Sequence, residues 1–261
     1  MTVVKHELRQ GSISLLIWTA VISFMLGVCV FLYPEMKGQM EQMNDMFASM
    51  GSFTQAFGMD RLNFGTLTGY YAIECGNVLG LGGAFFAALC GADMLSKEEK
   101  NRTAEFLLTH PVRRSRVVTE KLIAVAIQVT ALNVAVFGVS IAAMAAVGES
   151  IPWKVVGLLH LAYYLMMLEV SSVGFLLSSL LGKGSMGAGI GAAALLYMMN
   201  LIANITESAE FLKYITPFGY CDGADIVDKG NLNWLMVGIG AGIAALCAGL
   251  AHWWYGNKDI H

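Results

Sequence analysis

Charged residues are scarce, at 13% of the 261 positions, where an average soluble domain carries about 25%. That scarcity excludes an ordinary soluble enzyme. A cationic excess is missing as well: the net charge is −3 and the pI about 5.9, so no nucleic acid is expected as a partner. Cysteine is odd in number, with five residues. Cys29, Cys75, Cys90 and Cys247 sit in apolar stretches and only Cys221 in a polar one, which argues against a disulfide framework. No solenoid-period repeat and no low-complexity linker is found, so residues 1–261 read as a single membrane domain. The apolar run Ile13 to Leu32 lacks a small-residue cleavage site and is too long for a signal-peptide core, so it reads as a retained first helix.

What the chain has in abundance is apolar surface. Hydrophobic side chains make up 56% of it and the mean hydropathy is +0.61, values suited to lipid, where spans of about 20 residues suffice. Six windows stand out, at residues 13–33, 66–92, 120–147, 154–180, 185–204 and 232–255. The fifth opens with Gly187, Gly189 and Gly191, small residues that suit close helix packing in lipid. The predicted fold is therefore an all-α integral membrane protein with six transmembrane helices. Two long loops (34–65 and 205–231) fall on one side and one (93–119) on the other.

Charge sets the orientation. Lys5, Arg9, Lys97, Lys100, Arg102, Arg113, Arg114, Arg116, Lys121, Lys183 and Lys258 gather on the side of the termini and the 93–119 loop, leaving only Lys37, Arg61, Lys154, Lys213 and Lys229 opposite. By the positive-inside rule both termini and that loop are expected in the cytoplasm, with the protein in the cell membrane.

The most informative stretch runs from Gly91 to Lys121. Ser96 is placed to cap a helix with Glu98 and Glu99 in its first turn, Phe106, Leu107 and Leu108 supply an apolar patch, and Pro111 follows as a stop signal. The spacing predicts a short amphipathic helix between spans two and three, suited to docking a cytoplasmic partner. The plainer alternative is a solvated charged loop that only enforces topology.

The order Glu98, Glu99, Thr103, Glu105, Leu107, Leu108, Pro111, Val112, Arg114 resembles the cytoplasmic loop of ABC-2-type transporter permeases. Lys5-His-Glu-Leu-Arg9 ahead of Trp18, Thr216-Pro-Phe-Gly-Tyr220 before the last span, and Lys258-Asp-Ile260 are similar to the family's other segments in order. Ala104 departs from the glycine that many members carry. The resemblance implies a permease subunit of an ATP-binding cassette exporter, with a coupling helix in the 97–110 loop, working as a homo- or heterodimer of permeases. A separate nucleotide-binding ATPase subunit would dock on Glu98, Glu99, Thr103, Leu107, Leu108, Pro111 and Arg114, and ATP and Mg would sit on that subunit. The chain's own residues agree with that division: Gly182-Lys-Gly-Ser185 lacks the first glycine of a phosphate-binding loop and has Gly184 where Ser or Thr is needed. No cofactor, no metal and no catalytic residue is expected on this chain.

Glu74 and Glu169 lie inside apolar windows, where a charge costs roughly 2.5–3.5 kcal/mol on insertion scales. Counting residues puts Glu74 in the outer half of its span and Glu169 in the inner half, so they are not expected to pair. Each is read either as an interhelical hydrogen-bonding group, with Asn77, Asn133 or Tyr163 as donors, or as part of the translocation path. An ion-coupled secondary carrier using either acid is the main rival, against which stands the lack of internal repeats. An intramembrane hydrolase would draw on Ser178, Ser179 and His160, but no hydrolase motif accompanies them. A membrane anchor without a pathway is the third rival. Met36, Met40, Met43, Phe47 and Met50 share one helical face by their 4-3-4-3 spacing. This reads as a flexible apolar face rather than a copper site, since no external histidine supports one. Pro217, Gly219, Gly223 and Gly230 among Tyr214, Phe218 and Tyr220 predict short interfacial or re-entrant pieces in 205–231.

Overall fold

A computed structural model describes residues 2–100, 114–181 and 184–257. Among the described residues every regular element is helical. Six segments are long and apolar enough to cross a membrane: Val3–Gln39, Leu67–Asp93, Arg114–Val147, Trp153–Leu181, Ser185–Ile205 and Trp234–Asn257, numbered here as the first to sixth spans. The protein is a multi-pass, all-α membrane protein. An even number of spans brings the start of the first and the end of the sixth to one face, called the terminal face; the other is the distal face.

The first span belongs to a longer helix, Thr2–Ser49. Its 48 residues extend about 72 Å at 1.5 Å per residue, more than twice a hydrocarbon core of about 30 Å. Two expectations change here. The helix begins at Thr2 rather than near residue 13, because the third span supplies the cap described below. It also runs on to Ser49, where a distal loop was expected from residue 34. Pro34 lies inside it and removes one bond, the one its missing N–H would make to the Val30 carbonyl, while the methionine spacing continues the helical pattern. Met50 is exposed; the side chains of Met40, Met43 and Phe47 lie outside the described residues.

The second span starts at Thr66, whose hydroxyl accepts the Gly69 N–H at 3.1 Å. It carries a single π-helical turn, Gly76–Gly80, a feature that recurs at functional sites. Tyr163 of the fourth span lies against both ends of this turn, so that a Cβ at Gly76 or Gly80 would come within 3.0 Å of its ring or hydroxyl.

The fourth span is the axis of the bundle, with Leu159, Met166, Met167 and Phe175 fully buried. Its backbone meets that of the second span directly. A Cβ at Gly91 would sit 2.1 Å from the Ser171 carbonyl oxygen, and one at Gly174 would sit 2.8 Å from that of Ala88. Small residues allow this approach, and close van der Waals packing is what holds helices together in lipid. In the fifth span only Gly189 serves this purpose, against Ala92; Gly187 and Gly191 face open space. Ile13, Leu16, Phe24 and Phe31 of the first span and Leu235, Leu246 and Trp253 of the sixth are exposed, as expected of faces that meet lipid.

Candidate functional site

At the terminal face, the ends of the first, second, third and fourth spans are joined by buried polar groups. Val4, Glu7 and Gly11 follow one another at helical spacing and face the third span. Glu7 is 1% exposed and Lys121 fully buried. The Lys121 ammonium donates to Glu7 Oε1 at 2.6 Å, to the Met94 carbonyl at 2.8 Å and to Glu98 Oε1 at 2.9 Å, which uses all three of its protons. Lys97 binds the other oxygen of Glu7 and the Gln10 side chain at 3.0 Å. Two carboxylates and two ammonium groups thus balance in charge, the condition under which a buried ion cluster is tolerated.

One residue away, Glu120 accepts the backbone N–H groups of Val3 and Val4 at 3.1 and 3.4 Å and is held by Arg116 at 2.9 Å. A carboxylate at the N-terminus of a helix satisfies orphan donors and opposes the helix dipole. The third span therefore caps the first helix from outside.

Ser96 does not cap the helix that follows it. Its hydroxyl donates to the Ala92 carbonyl at 2.9 Å and accepts from Ser185 at 2.7 Å. The capping oxygen is instead that of Ser178 in the fourth span, which takes the N–H groups of both Leu95 and Ser96 at 2.9 Å. The short helix Ser96–Lys100 is thereby fixed to the bundle.

Glu98, expected at the rim for a partner's basic groups, is turned inward onto Lys121, whose ammonium it shares with Glu7. Arg114 opens the third span. The side chain of Glu99, and Thr103, Leu107, Leu108 and Pro111 with residues 101–110 of the predicted coupling helix, lie outside the described residues. Sequence reasoning missed Glu7, Glu120 and Ser178 as organising groups. The available signal for Glu7 was an acid on an otherwise small or apolar face at positions 4, 7 and 11.

The two intramembrane acids do not come together. Glu74 accepts the Cys29 thiol at 3.5 Å, and Glu169 accepts the Tyr220 hydroxyl at 3.0 Å. Neither uses the donors expected for it: Asn133 donates to the His160 carbonyl at 3.1 Å and Tyr163 to that of Cys221 at 3.0 Å. Glu169 lies 16 residues past Trp153, about 24 Å along the fourth span, and also touches Gly240 of the sixth span.

Tyr220 reaches Glu169 from the segment between the fifth and sixth spans. This segment holds two 3-10 turns, Glu207–Tyr214 and Pro217–Cys221, and a short helix, Gly223–Lys229. Every residue of Thr216-Pro-Phe-Gly-Tyr220 is buried. Thr216 donates to the Leu196 carbonyl at 2.8 Å, Phe218 lies edge-on to Tyr197, and a Cβ at Gly219 would meet the Lys213 carbonyl oxygen at 2.1 Å. The composition predicted short interfacial or re-entrant pieces here, and the segment is built of short helical turns. On its distal surface Arg61 binds Asp222 and Asp225 at 2.6 Å each. Burial pushes the Asp225 carboxyl up, but hydrogen bonds from Lys229 and Arg61 outweigh it and hold the group below the ordinary aspartate range. The latch is therefore intact at neutral pH.

The Tyr220 bond yields a test of what Glu169 does. Glu169→Gln keeps an acceptor for the Tyr220 hydroxyl and should leave the thermal stability of the purified protein within about 1 kcal/mol of the parent, whereas Glu169→Leu orphans that hydroxyl at a cost of about 1–3 kcal/mol. Equal losses in both variants would show that ionisation, not the hydrogen bond, is what matters.

The residues an intramembrane hydrolase would need are far apart. His160 and Ser178 lie 18 residues apart on one helix, about 27 Å, and Ser178 is committed to two backbone donors. Among the described residues no group of three or more His, Cys, Asp or Glu side chains could hold a metal ion.

Comparison with curated proteins gives no match. Compared with known families, residues 1–260 match the ABC-2 family transporter protein. The match runs through all six spans, the loop whose base is joined at Lys121 and the buried segment around Tyr220, and the chain belongs to this ABC-2 transporter family, whose members are the membrane permease components of ABC transporters.

Proposed function

We propose that the chain is one of two permeases in an ATP-driven exporter, a homo- or heterodimer whose path lies between the two copies. Each permease receives a separate nucleotide-binding ATPase subunit on the 97–121 loop. Glu99, Thr103, Leu107, Leu108, Pro111 and Arg114 are the docking residues, and Glu98 acts through Lys121 as a positioning residue at the loop's base. ATP and Mg belong to the ATPase subunit. Residues 1–261 act as one membrane domain in the cell membrane, with both termini and the loop in the cytoplasm.

The observation that carries this reading is the joint at the base of the loop. A loop that served only as a topology signal would need its charges in water. Here Lys97 and Lys121 are instead tied to Glu7 of the first helix, Glu98 is tied to Lys121, and Ser178 ties the preceding turn to the fourth span. A displacement of the loop by ATPase closure would be passed to four spans at once. An ion-coupled carrier gains no support, since Glu74 and Glu169 have separate hydrogen-bond partners on different helices.

Orientation and partnership are tested together. In a cysteine-free background, Ser49→Cys and Asp228→Cys should react with an impermeant thiol reagent on intact cells, while Lys100→Cys and Lys258→Cys should react only after permeabilisation. An affinity tag on the chain should bring down an ATPase subunit. Labelling of position 100 on intact cells would overturn the topology, and recovery of the chain without any ATPase from a host encoding its partner would overturn the docking.

A further inference from the structure

We propose that Tyr163 is a positioning residue that makes the segment between the fifth and sixth spans follow the second span, so that movement begun at the loop joint reaches the distal face. The proposal rests on the reading of the loop as the source of that movement. At its terminal end the second span is gripped by the joint, with the Met94 carbonyl on Lys121 and the Leu95 and Ser96 N–H groups on Ser178. Towards its distal end it meets the segment through Tyr163.

Tyr163 belongs to the fourth span and is 3% exposed. It lies across the π-helical turn of the second span, where a Cβ at Gly80 would come within 3.0 Å of its ring and one at Gly76 within 3.0 Å of its hydroxyl oxygen. The same hydroxyl donates its one proton to the Cys221 carbonyl at 3.0 Å. Two residues on, Gly223 packs on the second span one helical turn ahead of Gly76, where an added Cβ would sit 3.1 Å from the Ala72 carbonyl oxygen. One phenol therefore touches the π-turn with its ring and the segment with its proton.

The contact at Gly76 singles out the route. A Cβ there would meet the Tyr163 hydroxyl and no other atom beyond its own helix within 4 Å. A methyl group at this position must push the hydroxyl from its place, and the Cys221 carbonyl is what loses it, although nothing in the segment is touched. A buried carbonyl left unmatched is costly, so the segment stays with the hydroxyl for as long as the π-turn leaves the hydroxyl where it is. The segment's other ties, Thr216 to Leu196, Tyr220 to Glu169 and Arg61 to Asp222 and Asp225, do not pass through the π-turn.

The test uses the purified full chain in phosphatidylcholine nanodiscs. It reads the rate at which N-ethylmaleimide alkylates the native Cys221, which is 3% exposed, with the fully buried Cys75 as a control for general unfolding. Tyr163→Phe keeps the ring and removes the bond, and should raise the Cys221 rate at least about fivefold. Gly76→Ala should raise it to a similar extent from a different span. In the double variant the phenylalanine offers no hydroxyl for the new methyl to meet, so its rate should match that of Tyr163→Phe within about twofold, whereas independent effects would multiply. Cys75 should stay unreactive throughout. If Tyr163→Phe fails to fold, Gly76→Ala alone carries the test, since the hydroxyl is all that it displaces. An unchanged Cys221 rate in Gly76→Ala, multiplied effects in the double variant, or a parallel rise at Cys75 would overturn the proposal. No ATPase is present in this assay, so such a result leaves the permease reading standing.

Discussion

A Leu107→Asp, Leu108→Asp double variant is expected to insert in the membrane like the parent and to lose both its ATPase subunit on copurification and its transport. Both leucines lie outside the six spans, so insertion has no reason to change. If they are the apolar anchor of the proposed docking helix, each contributes roughly 1.5–3 kcal/mol by leaving water, and replacing both with aspartate removes that and adds two charges to a closed interface. A rim ion pair contributes under about 1 kcal/mol, so the leucines dominate. Glu98→Ala is a different experiment from the one the sequence suggests. With its carboxylate on Lys121, its loss should appear as lower stability of the permease itself. A double variant that binds its ATPase and transports normally would reduce the loop to a topology signal.

The second large effect is expected at Lys121. Lys121→Met fills the same space with an apolar chain but leaves Glu98 without its ammonium and Glu7 with Lys97 alone. Removing one partner of a buried ion cluster typically costs about 3–5 kcal/mol. The variant should unfold that much more readily in thermal or denaturant melts of the purified protein. A quadruple variant, Glu7→Gln, Lys97→Met, Glu98→Gln, Lys121→Met, removes all four charges of the cluster and should recover a large part of the loss, since apolar or neutral replacements of whole clusters are often tolerated. No recovery in the quadruple variant would mean that specific geometry, rather than charge balance, holds the joint.

The six spans were legible because lipid imposes a length and a composition on each helix separately, and runs such as 154–180 meet both without reference to any other part of the chain. The helical continuation past Pro34 was legible only in part: the methionine spacing announced a helix, but the proline and the charged residues around it suggested a break. The polar joints were not legible for a different reason. Glu120 serves Val3, Lys121 serves Glu7 and Ser178 serves Ser96 across 117, 114 and 82 residues, and nothing local to either partner names the other. Ser96 shows how local rules mislead. A serine before two glutamates reads as a cap, yet packing against Ser178 and Ser185 sets its bonds. Glu74 and Glu169 were recognised as acids in need of partners, and the partners themselves, a thiol on the first span and a tyrosine from the segment between the fifth and sixth spans, depended on the fold.

The cap that Glu120 places on the first helix bears on how the protein is made. The first span leaves the ribosome before the third exists, so the amides of Val3 and Val4, and the carboxylate of Glu7, must be served by water and lipid headgroups while more than a hundred further residues are synthesised. The terminal-face joint closes only when the third span arrives. Until then the nascent chain holds two inserted spans and a loop whose available tie is that of Lys97 to Glu7 and Gln10, so correct insertion and a working coupling loop are separate milestones in biogenesis, and damage at Glu120 or Lys121 would strike the second while sparing the first.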